Sequence, residues 1–92
     1  MIELGGNISL EGFEEVEQGK LIVIKKILGN YVKNITNKID NFESILISFK
    51  FNENNIIDTK LKFGEKEIKS NSNDKNIFFA LNNALAGLDE KI

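Results

Sequence analysis

Cysteine, histidine, tryptophan, proline and arginine are all missing from this chain of 92 residues. Each absence removes some chemistry. Without Cys there are no disulfides, thiolate metal sites or thiol nucleophiles. Without His, general acid–base work would fall to carboxylates or lysines. Without Arg, all twelve basic residues are Lys, so a bound anion meets ammonium point charges and no bidentate guanidinium fork. Heavy use of Ile, Lys and Asn beside these gaps reads as the codon bias of an AT-rich genome. Long apolar runs are lacking too. The longest, Ile77-Phe78-Phe79-Ala80-Leu81, and the next, Leu21-Ile22-Val23-Ile24, are far short of the ~20 residues that cross a bilayer. The opening Met1-Ile2-Glu3-Leu4-Gly5 has no basic export segment. A cytoplasmic location without membrane contact is expected. A net charge of −2 lacks the basic excess of a dedicated nucleic-acid binder. RNA binding therefore requires the lysines to segregate onto one surface.

What is present reads as a single small domain over residues 1–92, able to bury about 60–65% of its unfolded surface. Residues 2–10 alternate as a strand, with Ile2, Leu4, Ile8 and Leu10 on one face and a bulge or ragged stretch at Gly5-Gly6. Gly12-Phe13 ends it, and Glu14, Glu15 and Glu17 place negative charge where a helix starts. From Glu17 to Ile39, Leu21, Ile24, Leu28, Tyr31, Ile35 and Ile39 keep helical spacing. The β-branched run at Lys20–Ile24 also fits a strand, and the period continuing to Ile39 decides for helix.

The period then switches to two. Ile45, Ile47, Phe49 and Phe51 alternate with Ser44, Leu46, Ser48 and Lys50. After a turn at residues 52–55, Ile57, Thr59, Leu61 and Phe63 point inward. Gly64-Glu65 fits a two-residue hairpin loop of type II′. That loop sets Phe63 opposite Lys66, Leu61 opposite Ile68, Lys62 opposite Glu67 and Lys60 opposite Lys69. A last helix starts at a cap from Asn73 or Asp74 and buries Ile77, Leu81, Ala84, Leu85, Leu88 and Ile92. The expected architecture is α+β in the order β-α-β-β-β-α, two helices packed on one face of a four-stranded mixed sheet.

The closing third, Glu67-Ile68-x-Ser70-x-Ser72-x-Asp74-x-Asn76-Ile77-Phe78-x-Ala80-Leu81-Asn82, resembles without a gap the E-I-x-A-x-A-x-D-x-D-M-Y-x-A-I-D pattern of the ribosome hibernation-promoting and ribosome-associated inhibitor family. The start, Asn7-Ile8-Ser9-Leu10-Glu11-Gly12 followed by a long helix, is compatible with it. The resemblance implies a βαβββα fold akin to double-stranded-RNA-binding domains. It also implies a non-enzymatic protein seated in the small-subunit channel of mRNA and tRNA, holding rRNA phosphates with basic residues. Most matched positions are core-forming, and no basic residue lies between Lys75 and Lys91, so the second helix departs from the family's basic helices.

Two basic faces are candidates for RNA. The first is the long helix, with Lys25, Lys26, Lys33 and Lys38. The second is the outward sheet face, with Lys50, Lys60, Lys62 and Lys69 diluted by Asp58 and Glu67. The ordinary alternative for each is a solvated polar face. The aromatics offer no stacking platform, since Phe49, Phe51 and Phe63 point inward, Phe78 joins the core, and packing is the default for Phe13, Tyr31 and Phe79. Gly5-Gly6-Asn7 matches no phosphate loop, and the Glu14, Glu15 and Glu17 cluster reads as helix-start charge. No catalytic residue, metal site or small-molecule cofactor is assigned. The leading expectation is a ribosome- or RNA-associated translation modulator, with the small ribosomal subunit or a structured RNA as partner. The second is a protein-interaction or homodimerisation module, motivated by net acidity, by Leu46 and Ile56 on the polar sheet face, and by an open strand edge.

Overall fold

A computed structural model describes residues 1–92. The elements are β1 (Ile2–Gly5), β2 (Ile8–Glu11), α1 (Gln18–Ile35), β3 (Phe42–Asn52), β4 (Asn54–Phe63), β5 (Lys66–Asp74) and α2 (Ile77–Asp89). They form one five-stranded sheet in sequential order. Only β2 and β3 pair in parallel, and α1 supplies the crossover that such a pair requires. The sheet is mixed and the fold α+β, but five strands replace the expected four.

The extra strand arises at Gly5-Gly6-Asn7. All three residues have positive φ, at 81°, 58° and 65°. Gly and Asn tolerate that region, so the chain folds back on itself where a bulge was expected. Ile2 then lies opposite Leu10, which keeps the alternating apolar residues on one face despite the reversal. The β4–β5 hairpin has the expected register: Phe63 opposite Lys66, Leu61 opposite Ile68, Lys62 opposite Glu67 and Lys60 opposite Lys69. Only Gly64 of its two loop residues has positive φ, as a type II′ turn requires.

The core lies between the sheet and the helices, where Leu10, Ile45, Ile47, Ile57 and Leu61 meet Ile24, Leu28, Leu81 and Leu88. The first helix is shorter than expected. It stops at Ile35, where Thr36 Oγ1 bonds back to the Lys33 carbonyl, and tight turns through Lys38 bring Ile39 into the core. α2 is capped by Asn76 instead of Asn73 or Asp74. Its Oδ1 accepts from the Phe78 and Phe79 amides at 2.8 and 3.2 Å, while Asp74 holds the Asn76 amide at 2.8 Å. Ile92 is exposed, contrary to its expected place in the stripe. Neither helix is long and apolar enough to cross a membrane.

The junction of β5 and α2 gives the closing motif its physical meaning. Ser72 Oγ donates to the Ala80 carbonyl, so the residue at 72 fastens strand to helix. Ser70 faces Gly87, where an added Cβ would lie 2.1 Å from Ser70 Oγ and 3.1 Å from Ser70 Cβ. Small residues at 70, 72 and 87 thus set how closely α2 lies on the strand. Gly87→Ala should destabilise the protein by about 1 kcal/mol, because overpacking costs about 1–3 kcal/mol against a gain of up to about 1 kcal/mol in helix propensity. Urea denaturation would measure this. The Gly87→Ala, Ser70→Ala double variant should recover most of the loss.

Candidate nucleic-acid interface

α1 has a buried stripe of Leu21, Ile24, Leu28 and Ile35. Its charge is one-sided: Lys20, Lys25, Lys26 and Lys33 occur between Gln18 and Ile35 with no Asp or Glu. All four are exposed, and none is paired with a carboxylate. Lys26 and Lys33, seven residues apart, share the outer face with an axial separation of about 10 Å. Lys25 lies about 100° round the helix from Lys26. Lys38 is exposed but stands in the turn beyond Ile35, so the expected helix set of four divides into three residues on the helix and one past its end.

Tyr31 ties this helix to α2. Its hydroxyl donates to Asp89 Oδ1 at 3.0 Å and lies 3.5 Å from the Leu85 carbonyl. Burial, then the Asp89 hydrogen bond, raises the phenol pKa, so Tyr31 stays a neutral donor. The lysine ridge is therefore carried on a helix hydrogen-bonded to its neighbour through Tyr31.

The open sheet face is different. The register aligns Glu3, Ser9, Leu46, Lys60 and Lys69 in one row and Glu11, Ser48, Asp58 and Asn71 in the next. Lys62 stands with Ser44 and Glu67, and Lys50 with Ile56 and Asn73. Lys50, Lys60, Lys62 and Lys69 are thus matched in number by Glu3, Glu11, Asp58 and Glu67. Glu67 lies 3.7 Å from both Lys62 and Lys69. This face has both signs interleaved and no net positive field. Glu3 and Glu11 reach it because β1 and β2 complete the sheet.

Two aromatic side chains depart from expectation. Phe13 is buried and packs on Phe49 at 5.3 Å between ring centroids, but Phe51 and Phe79 are 68% and 60% exposed. Both line a groove of about 690 Å³ at the N-terminal ends of the two helices. Alternation alone assigned Phe51 to the core. Element lengths explain the miss: an 11-residue strand runs about 36 Å, whereas the 18- and 13-residue helices run about 27 and 20 Å. The end of β3 therefore projects past its cover. No group of three or more carboxylates is gathered in a way that could hold a metal ion, and Glu14 pairs with the Met1 amine at 2.8 Å.

No protein-family model matches the chain, and no curated protein is similar to it in sequence. The fold is similar to that of a ribosomal subunit interface protein from Coxiella burnetii, with a TM-score of 0.61 and 13% identity over 92% of this chain and 89% of that one. At that identity the likeness concerns the fold.

Proposed function

We propose that this protein is a non-enzymatic, ribosome-associated domain that binds rRNA phosphates through the lysines of α1 and modulates translation by occupying its site. The observation that carries the reading is the asymmetry of charge. A chain of net charge −2 devotes one exposed helix to four unpaired lysines and no carboxylates. That is the segregation an acidic protein needs in order to meet a polyanion. The fold shared with a ribosomal subunit interface protein supports the same class of partner. So does the closing motif's resemblance to hibernation factors. Lys25, Lys26 and Lys33 are the contacts from the helix, with Lys38 extending the ridge beyond its end. The sheet-face lysines take a lesser part, because equal numbers of carboxylates stand among them.

Co-sedimentation of the purified protein with small ribosomal subunits, at low and moderate salt, tests the proposal. Saturable binding that weakens as salt rises is the expected result, since displaced counterions dominate phosphate recognition. Absence of binding at both salts would remove the ribosomal reading. The two exposed phenylalanines favour a second reading, self-association, in which the protein acts as a homodimerisation module.

A further inference from the structure

We infer that the phenylalanine groove is the self-association surface of this protein and that its occupant is the same groove of a second copy. The inference deepens the self-association reading and rests on it. The floor and walls are apolar: Phe49 and Phe51 come from the end of β3, Ile77, Phe78 and Phe79 from the start of α2, and Val16 from the approach to α1. Four of the seven phenylalanines of the chain gather here. An isolated domain gains nothing by leaving two of them in water.

The rim decides between occupants. Glu15, Glu17 and Lys20 stand on the α1 side, and Asp74 and Lys75 on the α2 side. Three carboxylates against two ammonium groups repel a nucleic-acid backbone, which the outer face of α1 suits better. The same near-balance gives a cationic peptide little to hold. A surface with both signs around an apolar centre complements itself under two-fold rotation, where the α1 side of one copy meets the α2 side of its partner. That rotation brings the side carrying Lys75 and Asp74 against the side carrying the carboxylates at 15 and 17 and the ammonium group at 20, so opposite charges are available on both edges. Lys26 and Lys33 lie on the outer face of α1, so the dimer leaves both basic ridges open.

The area sets the strength. A phenylalanine side chain can bury about 150–250 Å². At 68% and 60% exposure the pair offers roughly 250 Å² per copy. Two copies and their rims fall below the 1,200–2,000 Å² of a standard interface, so the dimer should be weak, with a Kd of roughly 10 µM to 1 mM.

Sedimentation equilibrium from about 5 µM to 1 mM reads this directly. The wild-type protein should pass from monomer to dimer across that range. The Phe51→Ser, Phe79→Ser double variant should stay monomeric with an unchanged far-UV spectrum. Lys75→Glu alone should weaken association about tenfold, and Glu17→Lys on the same chain should restore it. This rescue keeps the test decisive if the serine variant folds poorly. A wild-type protein that is monomeric throughout would overturn both self-association and this site. A wild-type dimer indifferent to the phenylalanine and charge variants would leave self-association standing and overturn the groove. Altered ribosome binding by the serine variant of a monomeric protein would also overturn the proposal, giving the groove to the ribosome.

Discussion

Gly12→Ala is expected to destabilise the protein by about 3–5 kcal/mol and lower its melting temperature by roughly 12–40 °C, using the ~4–8 °C per kcal/mol typical of a domain this size. Two effects add. Gly12 sits at φ +83°, where an L side chain costs about 1–2 kcal/mol. A Cβ there would also lie 2.1 Å from the Phe49 carbonyl oxygen and 3.2 Å from its carbon. Those are backbone atoms of a central strand and cannot rotate aside. The link from β2 to α1 would have to lift, taking with it the next residue, Phe13, which is buried against the Phe49 ring. Thermal unfolding followed by circular dichroism would measure the change. Gly29→Ala is the control. That position is helical with nothing within 4 Å of its added Cβ, so the substitution should be neutral or stabilise by up to about 1 kcal/mol. Equal melting temperatures for the two variants would refute the account of Gly12.

The same glycine marks what local pattern can convey. Periodicity identified both helices, the three long strands and the register of the β4–β5 hairpin. Each rests on a repeat along one segment or on the two-residue turn at Gly64-Glu65. Features that depend on distant segments were not legible. Nothing near Gly12 signals that the Phe49 carbonyl passes within contact distance, and nothing near Gly87 signals Ser70. The reversal at Gly5-Gly6-Asn7 did have a local sign in its Gly-Gly-Asn run. An apolar alternation continuing through the turn concealed it, because Ile2 and Leu10 stay on one face when the strand folds back.

The candidate surfaces follow the same logic. Exposure of the α1 lysines was legible, since helical spacing alone puts Lys26 and Lys33 opposite Leu21, Ile24 and Leu28. Lys38 was misplaced because the helical period persists through Ile39, although the chain leaves the helix at Thr36. The balance of the sheet face depends on Glu3 and Glu11, which belong to it only once β1 and β2 are paired with the other strands. Phe51 looked like core because alternation carries no information about where the covering helix stops.

Under the proposed function, reversing both outer lysines, Lys26→Glu with Lys33→Glu, should weaken small-subunit binding by about 50–100-fold or more near 0.1 M salt. Each phosphate contact contributes roughly 0.7–0.9 to the slope of log K against log salt, or about five- to eightfold in affinity at that concentration. Two lost contacts account for most of the predicted change, and placing two carboxylates beside the phosphates adds repulsion. The slope itself should fall by about 1.4–1.8. Stability should barely change, since both side chains are exposed and neither is in an ion pair. The companion pair, Lys60→Glu with Lys62→Glu, makes the same change in net charge on a face already rich in carboxylates. It should reduce binding by less than about fivefold, because long-range charge effects are screened within about 10 Å at this ionic strength. Equal losses from the two double variants would mean that the ribosome senses only net charge. A larger loss from the sheet-face pair would transfer the contact from α1 to the sheet, despite the carboxylates interleaved there.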